Sequence, residues 1–346
     1  MVSRQTFLQH LQSQYQARLD DGYCHFPEHS AGNAAAHIML LDHYQLLQVQ
    51  GPDSERFLQG QLSCDVREVN SGCARWGTYN NPKGRMHASF LITGIADSVP
   101  AYQLRMSADI AEHCKQVLSK YIVFSKADIE SLAEEWLVLG LQGTDAGAAL
   151  EKTLGISLSN DLSVHNGEGW QCILLSRELH LYELHLSLEQ ATKIWDRLCE
   201  SAKPVNRVEW DKALIELGMA EVRAENLETL IPQMMNFDLN GGINFKKGCY
   251  TGQEVIARLH YRGEAKQRLF RISGPQAVIG TELFTEARRS AVGEVVAWYQ
   301  DGASGKGLAV LRIDSADQTL KDASGGSFQA EAAHQTPEKN LENASD

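Results

Sequence analysis

Cys249 is the side chain in this sequence with the clearest potential for covalent or redox chemistry. It lies in the octapeptide KGCYTGQE at 247–254, two residues after the pair Lys246 and Lys247. The thiolate is the reactive form of cysteine, and neighbouring cations and a helix N-terminus favour it. Two interpretations remain open: Cys249 performs redox or nucleophilic work, or it packs the start of a helix.

The residues that follow Cys249 predict the helix that positions it. Thr251 and Glu254 have the spacing of a capping box, so we expect a helix that begins at about Gly252. The apolar residues spaced to form its buried stripe are Val255, Ile256 and Leu259. The cations that follow Glu254 along its polar face are Arg258 and Arg262.

This helix lies in a basic island on an acidic chain. The formal net charge is −12, whereas the stretch from Lys246 to Arg271 carries seven basic residues against Glu254 and Glu264, a local +5. The overall charge disfavours a protein that coats nucleic acid. The island would attract an anionic ligand to one place, although a solvated helix face followed by a basic edge strand gives the same pattern.

Composition limits the class of protein. The chain has 346 residues, of which 43% are hydrophobic, which is typical of two or three globular domains. It has seven cysteines and no C-x-x-C pair, so we expect a reducing compartment, the cytoplasm, with neither a disulfide framework nor a metal site. No apolar run approaches the ~20 residues that span a bilayer, and no membrane association is expected.

Hydrophobic periodicity divides the chain into four parts. Residues 1–134 together with 204–263 are predicted to form an α+β domain that carries the octapeptide, and residues 135–203 a second, smaller α+β domain. Short strands and glycine turns over 264–320 predict an antiparallel β-barrel. Residues 321–346 are poor in apolar side chains and are expected to be a disordered tail.

Three stretches together resemble the YgfZ-type folate-binding proteins, which are relatives of the glycine-cleavage aminomethyltransferase. They are GPDSERFLQGQLSCDV at 51–66, NPKGRM at 81–86, and IPQMMNFDLNGGINF at 231–245 running into KKGCYTGQEVIAR. The octapeptide is highly specific, and the resemblance covers about residues 37–320. The sequence contains neither the phosphate-binding loop motif nor the dinucleotide-binding motif that would indicate a different family.

The resemblance implies three domains around a central cleft that holds tetrahydrofolate or another reduced folate. The function that it implies is the maintenance of iron–sulfur enzymes, notably the radical methylthiotransferase that modifies tRNA, with an indirect effect on tRNA. Aromatic contacts to folate are expected from Tyr44 and Trp210. The remaining predicted cofactor-binding residues are Gln233, Lys246, Lys247, Gln253, Arg258 and Arg262, and Cys249 is the candidate for catalysis.

Two other functions stay open at this point. One is a folate-dependent aminomethyltransferase or demethylase, so that the protein, if it is an enzyme, would be a tetrahydrofolate-dependent one-carbon transferase. The related aminomethyltransferases use an aspartate near the folate, and the turn at 81–86 carries no acidic residue. The transferase function is therefore ranked second. The other is a tRNA-docking protein without folate chemistry, which the net charge disfavours except as local docking.

Overall fold

The computed structural model describes residues 3–20, 22–27, 35–95 and 98–334. Its helices are α1 Arg4–Tyr15, α2 Ser54–Gln59, α3 Ala108–Ser119, α4 Ala146–Leu154, α5 Leu188–Cys199, α6 Val208–Leu217 and α7 Gln253–Arg262. None of the helices in these ranges is long and apolar enough to cross a membrane.

The strands fall into two open sheets, one closed barrel and an N-terminal hairpin. In chain order they are β1 Arg18–Asp20, β2 Tyr23–His25, β3 His37–Leu40, β4 Tyr44–Gln50, β5 Arg75–Asn80, β6 Met86–Ile95, β7 Ala101–Ser107, β8 Asp128–Ser131, β9 Trp136–Gln142, β10 Val164–Gly167, β11 Trp170–Ser176, β12 Leu181–Ser187, β13 Lys203–Pro204, β14 Gln267–Gly274, β15 Glu282–Thr285, β16 Arg288–Asp301, β17 Ser304–Arg312, β18 Leu320–Lys321 and β19 Ser327–Ala332.

The first sheet has five antiparallel strands in the order β5-β6-β7-β4-β8. All residues of β7 and nearly all of β6 are buried, so both faces of these strands are covered. The apolar residues of α3 and α6 share one hydrophobic core with this sheet and with the loop that leads to α7.

The second sheet corrects one predicted domain boundary. Its order is β10-β11-β12-β9-β3-β13, so His37–Leu40 pairs with β9 instead of with the first sheet. Helix α1 also shares its core with α4 and α5. The boundary prediction is wrong for the N-terminal segment, because the apolar side chains Phe7, Leu11 and Ile38 bury in the second core.

The two sheets also meet each other through polar side chains. Gln103 and Arg105 alternate along β7, and Glu183 and His185 alternate along β12, so each pair points to one face of its strand. The Arg105 Nε–H donates to Glu183 Oε1 at 2.9 Å. A polar layer therefore lies between the sheets, in the place where an apolar core would otherwise form.

The C-terminal unit is a closed six-stranded barrel, in the order β14-β17-β16-β15-β18-β19. Two α+β units followed by an antiparallel barrel confirm the predicted fold class. The barrel extends to Ala332, so the prediction of a disordered tail from residue 321 is wrong for 321–334. Leu320 and Phe328 are fully buried in the barrel core, which explains why this polar stretch is ordered. Residues 335–346 lie outside the described residues.

Candidate functional site

A buried cluster of charges occupies the space between the two sheets. The Arg105 guanidinium donates to Glu183 Oε1 at 2.9 Å and to Glu221 Oε1, and it is completely buried. His185 Nε2 lies 2.8 Å from Glu183 Oε1. Strands β7 and β12 supply three of these side chains, and Glu221 comes from the loop after α6.

Burial opposes charge in this cluster, but the ion pairs outweigh it. Desolvation would lower the pKa of Arg105, and the carboxylates of Glu183 and Glu221 raise it instead. Desolvation would raise the pKa of Glu183, and Arg105 lowers it. Arg105 and Glu183 are therefore both charged and are joined by a strong charge-assisted hydrogen bond.

Tyr44 and Trp210 form a wall of this cluster. The Tyr44 hydroxyl donates to Glu221 Oε2 at 2.5 Å, and the Trp210 Nε1–H donates to the Tyr44 hydroxyl at 3.2 Å. The Arg105 guanidinium lies 4.0 Å from the centroid of the Tyr44 ring, so it covers one ring face. The structure thus brings together the two aromatic residues predicted from the sequence, and it buries both.

Several polar atoms of this layer are buried without a hydrogen-bond partner. They are the donors Gln103 Nε2 and Arg105 Nη2 and the acceptor Glu183 Oε2. A buried polar group without a partner costs about 1–3 kcal/mol, and native proteins keep few of them. Donors and an acceptor on one polar layer could pair with a ligand edge that carries both types of atom.

The octapeptide packs against the turn between β5 and β6. Gly252 has φ +82° and precedes α7, and a Cβ atom there would lie 2.5 Å from the backbone oxygen of Asn81. The predicted capping box is wrong, since no side chain caps this helix. Gly252, in its left-handed conformation, places the backbone against the turn. The Thr251 hydroxyl donates to Gln61 Oε1 at 3.3 Å and does not cap the helix.

Only part of the predicted apolar stripe of α7 is buried. Ile256 is fully buried, whereas Val255 is 37% exposed and Leu259 is partly exposed. Val255 lies over Gly84, where a Cβ atom would meet its side chain at 3.1 Å. Helix α7 therefore lies on the β5–β6 turn and contributes one fully buried side chain, Ile256, to the first core.

The two lysines before Cys249 have different environments. The Lys247 Nζ donates to the backbone oxygens of Leu62 at 2.7 Å and Cys64 at 2.6 Å, and burial lowers its pKa to about 8. Lys246 is exposed, as is the thiol-bearing residue Cys249. Lys247 is therefore a structural contact in this structure, and Lys246 is the lysine available to a ligand.

Some cations of the basic island form contacts within the protein and are not available to a ligand. Arg268 forms a two-pronged contact with Asp238, at 2.5 Å and 2.9 Å, and Arg271 donates to backbone oxygens of α6. Arg258 and Arg262 remain exposed one turn apart on α7. Among the four cations predicted to bind a cofactor, these two arginines and Lys246 are exposed.

The two predicted glutamines occupy different places. The Gln233 side chain is buried, where its Nε2 donates to the Ile256 backbone oxygen at 2.7 Å and its Oε1 has no partner. Gln253 is the partly exposed first residue of α7. Among the hydrogen bonds of the described ranges, none joins Gln233, Gln253 or the α7 cations to Tyr44 or Trp210, so the predicted set divides into two groups.

An open cleft of about 620 Å³ includes one predicted site residue, Lys246, in its lining. Phe245 and His260 stack along it with ring centroids 3.7 Å apart, and Tyr261 is 65% exposed at its rim. Lys246 and Arg75 contribute cations to its lining. A larger cleft, of about 1020 Å³, lies between α6 and the barrel and contains none of the predicted site residues.

Comparison with known proteins places this architecture in a family. Residues 12–169 match the family described as the GCVT N-terminal domain. A tRNA-modifying protein YgfZ from Vibrio vulnificus (strain CMCP6) is 30% identical over 299 residues, which cover 84% of this chain and 89% of the relative. Another, from Enterobacter sp. (strain 638), is 31% identical over 239 residues, which cover 68% and 72%.

The chain belongs to the YgfZ family.

The resemblance that the octapeptide indicated is thereby confirmed. Among solved structures, the glycine cleavage system aminomethyltransferase T from Bartonella henselae covers 94% of this chain and 96% of its own length, with a TM-score of 0.77 and 15% identity. At that identity, the likeness shows that the YgfZ-family chain shares a fold with the aminomethyltransferase.

The sequence prediction missed the charged residues of the polar layer in this YgfZ-family chain. Arg105, Glu183 and Glu221 lie 38 to 116 positions apart, so no local motif joins them. A signal exists nevertheless: polar residues at alternate positions interrupt the apolar strands β7 and β12. Such residues in buried strands indicate a polar layer facing another sheet.

Proposed function

We propose that this protein binds a reduced folate against the polar layer between its sheets and supports iron–sulfur enzymes that modify tRNA. The observation that carries the proposal is the set of buried, unpaired atoms on Gln103, Arg105 and Glu183. The name of the relatives, tRNA-modifying protein YgfZ, supports the link to tRNA. Seven unpaired cysteines suit a role in the cytoplasm.

The chemistry of a pterin fits these unpaired atoms. One edge of the pterin carries an amino group and a ring N–H that donate, beside a carbonyl oxygen that accepts. Glu183 Oε2 would accept from the donors, and the Gln103 amide or the Arg105 guanidinium would donate to the oxygen. Tyr44 and Trp210 would act by holding Glu221 and Arg105 in place.

The glutamate tail of a folate carries carboxylates, and exposed cations on α7 suit it. Arg258 and Arg262 are four residues apart, so they lie on one side of the helix, and each can bind a carboxylate with two hydrogen bonds. Lys246 adds a point charge, and Gln253 at the helix start adds a donor. We assign the tail to these residues and the buried amine of Lys247 to support of the motif.

Cys249 is the exposed thiol of this arrangement, beside Lys246. We propose that it acts on the iron–sulfur side of the function, as a redox-active or nucleophilic thiol. One-carbon transfer, the alternative, has support from the fold likeness alone. Docking of tRNA without folate would rely on the exposed cations of the island, Lys246, Arg258, Arg262 and Lys266, because Arg268 and Arg271 are engaged inside the protein.

Titration with tetrahydrofolate tests the proposed site. The wild type should show quenched tryptophan fluorescence and a higher melting temperature, with about 2.7 kcal/mol of stabilisation at a ligand concentration of 100 Kd. Glu183→Gln and Gln103→Met should weaken both effects. Gln103→Met removes an unpaired buried donor together with the Oε1 atom that lies 3.3 Å from His185 Nδ1, so circular dichroism verifies that the ligand-free variant folds. Arg312→Gln, in the barrel, is the matched control.

The outcome separates the proposals. Unchanged melting of the wild type at saturating tetrahydrofolate would reject folate binding altogether. Equal binding by the wild type, Glu183→Gln and Gln103→Met would reject the assigned site but keep the ligand. The link to tRNA is tested by complementation of a strain that lacks its own YgfZ protein, with methylthiolated nucleosides measured by mass spectrometry. Cys249→Ser should fail to restore them if the thiol is required.

A further inference from the structure

Three potential metal ligands converge at the end of the first sheet that faces the octapeptide. His87 is the second residue of β6, His113 lies on α3, and Glu228 belongs to the loop between α6 and α7. His87 Nδ1 is 3.2 Å from His113 Nε2 and 3.1 Å from Glu228 Oε1, and His113 Nε2 is 3.9 Å from the same carboxylate oxygen. None of the three belongs to the proposed folate site.

Hydrogen bonding alone does not account for this convergence. A ring nitrogen of neutral histidine carries either one proton or one lone pair in the ring plane, so it makes one good hydrogen bond. His87 Nδ1 has two polar neighbours at almost equal distance. One cation at the common centre would instead satisfy all three atoms through their lone pairs.

We propose that His87 Nδ1, His113 Nε2 and Glu228 Oε1 bind one zinc ion and leave its fourth coordination position open. Zinc bonds to histidine nitrogen and carboxylate oxygen are about 2.0–2.2 Å long, so the corners of a tetrahedral site lie about 3.3–3.6 Å apart. The three observed separations, 3.1, 3.2 and 3.9 Å, bracket that range. Shifts of a few tenths of an ångström at the partly exposed side chains would close the site.

The ligand set and its exposure indicate the type of site. Two imidazoles and one carboxylate are the ligands of catalytic zinc sites, whereas calcium and magnesium prefer oxygen alone. His87 is buried, but the side chains of His113 and Glu228 are 36% and 40% exposed. Solvent therefore reaches one side of the cluster, where a water molecule or an exchangeable ligand would complete the coordination.

Contacts around Glu228 orient its carboxylate toward the histidines. The Asn81 Nδ2 donates to Glu228 Oε2 at 2.8 Å, which leaves Oε1 directed at the two imidazoles. The Glu228 backbone N–H donates to the Met86 oxygen at 3.0 Å, next to His87. Glu228 has φ +55°, a conformation that non-glycine residues seldom adopt and that the surrounding contacts must hold. Partners of this kind commonly fix metal ligands.

This site departs from the expectation that the chain holds no metal. Its ligands come from positions 87, 113 and 228, so no local spacing motif announces them. The site adjoins the octapeptide, because the backbone oxygen of Asn81 also packs against Gly252. A bound ion would therefore brace the turn on which α7 rests.

Calorimetric titration with zinc chloride, after removal of metal with a chelator, tests the proposal on the full chain. Cys249→Ser serves as the parent protein, because the exposed thiol could itself bind zinc. The parent should bind one zinc ion per chain and melt at a higher temperature with zinc. Adding His113→Ala or Glu228→Gln should weaken that binding by more than about a hundredfold, beyond the loss typical of an outer partner. Both positions are partly exposed, so the variants are expected to fold, which circular dichroism verifies.

His10→Ala provides the matched control, since His10 also contacts a carboxylate, that of Asp196 at 2.7 Å, but belongs to the second unit. It should leave zinc affinity unchanged. Cobalt bound to the parent should give the intense visible absorption of a four-coordinate site, and the spectrum should vanish in His113→Ala. The proposal would be overturned if the parent failed to bind one zinc ion. It would also be overturned if His113→Ala and Glu228→Gln bound zinc with the same affinity as the parent. An equally large loss in His10→Ala would overturn it as well.

Discussion

Gly140 on β9 lies directly against the indole ring of Trp210: a Cβ atom added to the glycine would be 2.5 Å from the ring carbon Cε3. The ring is fully buried, and the glycine is what leaves it room. The aromatic residue that the sequence singles out for a ligand is therefore also a packing element between the second sheet and α6.

Gly140→Ala should reduce the free energy of unfolding by about 1–3 kcal/mol, because the added methyl group overpacks a rigid contact. Urea unfolding followed by tryptophan fluorescence measures the change. Gly60→Ala is the control, since its nearest neighbour would be an ordinary 3.6 Å away. Equal stability of Gly140→Ala and Gly60→Ala would show that the indole has room to move.

Arg105→Met should reduce the free energy of unfolding by about 3–5 kcal/mol, because it leaves Glu183 and Glu221 buried without their counter-ion. Arg312→Met removes a partly exposed arginine that pairs with the exposed Asp314, and a far smaller effect is expected there. Chemical denaturation of both variants at pH 7 makes the comparison. A loss at Arg105 no larger than that at Arg312 would contradict the burial of the cluster.

Lys247 should make stability depend on pH above 8. Burial lowers its pKa from 10.5 to about 8, so between these values the unfolded chain holds a proton that the folded chain has released. The free energy of unfolding should therefore rise with pH across this window, by up to about 1.4 kcal/mol per unit. Below pH 8 both states are protonated, and this contribution becomes flat.

The contribution of Lys247 is isolated by subtracting the pH profile of Lys247→Met from that of the wild type, which cancels the titration of cysteines and tyrosines. Lys246→Met, at the exposed neighbour, should retain the wild-type slope. A difference profile without slope between pH 8 and 10 would mean that the Lys247 amine is solvated.

Cys249 should be the fastest-reacting thiol of the native protein toward Ellman's reagent, because it is exposed. Burial raises the pKa of Cys64 and Cys114 to about 12, so these thiols should react only after unfolding. Cys249→Ser should remove the rapid phase and leave the denatured total lower by one. Persistence of the full rapid phase would assign it to the partly exposed Cys73 or Cys199.

Local sequence patterns correctly predicted those features that depend on residues close together in the chain. Alternation and glycine turns predicted the barrel, and the octapeptide predicted both the helix at Gln253–Arg262 and the family. The capping box failed because the residue before α7 is the left-handed Gly252, which packs against Asn81 about 170 residues earlier in the chain. The polar layer and the His87 cluster escaped prediction for the same reason: their members meet only after the sheets pack.

Strand β3 reaches into a sheet whose other strands begin about a hundred residues later, and β13 then adds to its free side. The second unit is therefore not a removable module. A fragment cut at 135–203 would expose the edge of β9 and forfeit Ile38 and Leu40 from its core, which invites edge-to-edge aggregation. During synthesis, β3 emerges from the ribosome about a hundred residues before its partner strand β9. The second unit therefore cannot fold until both strands have been made.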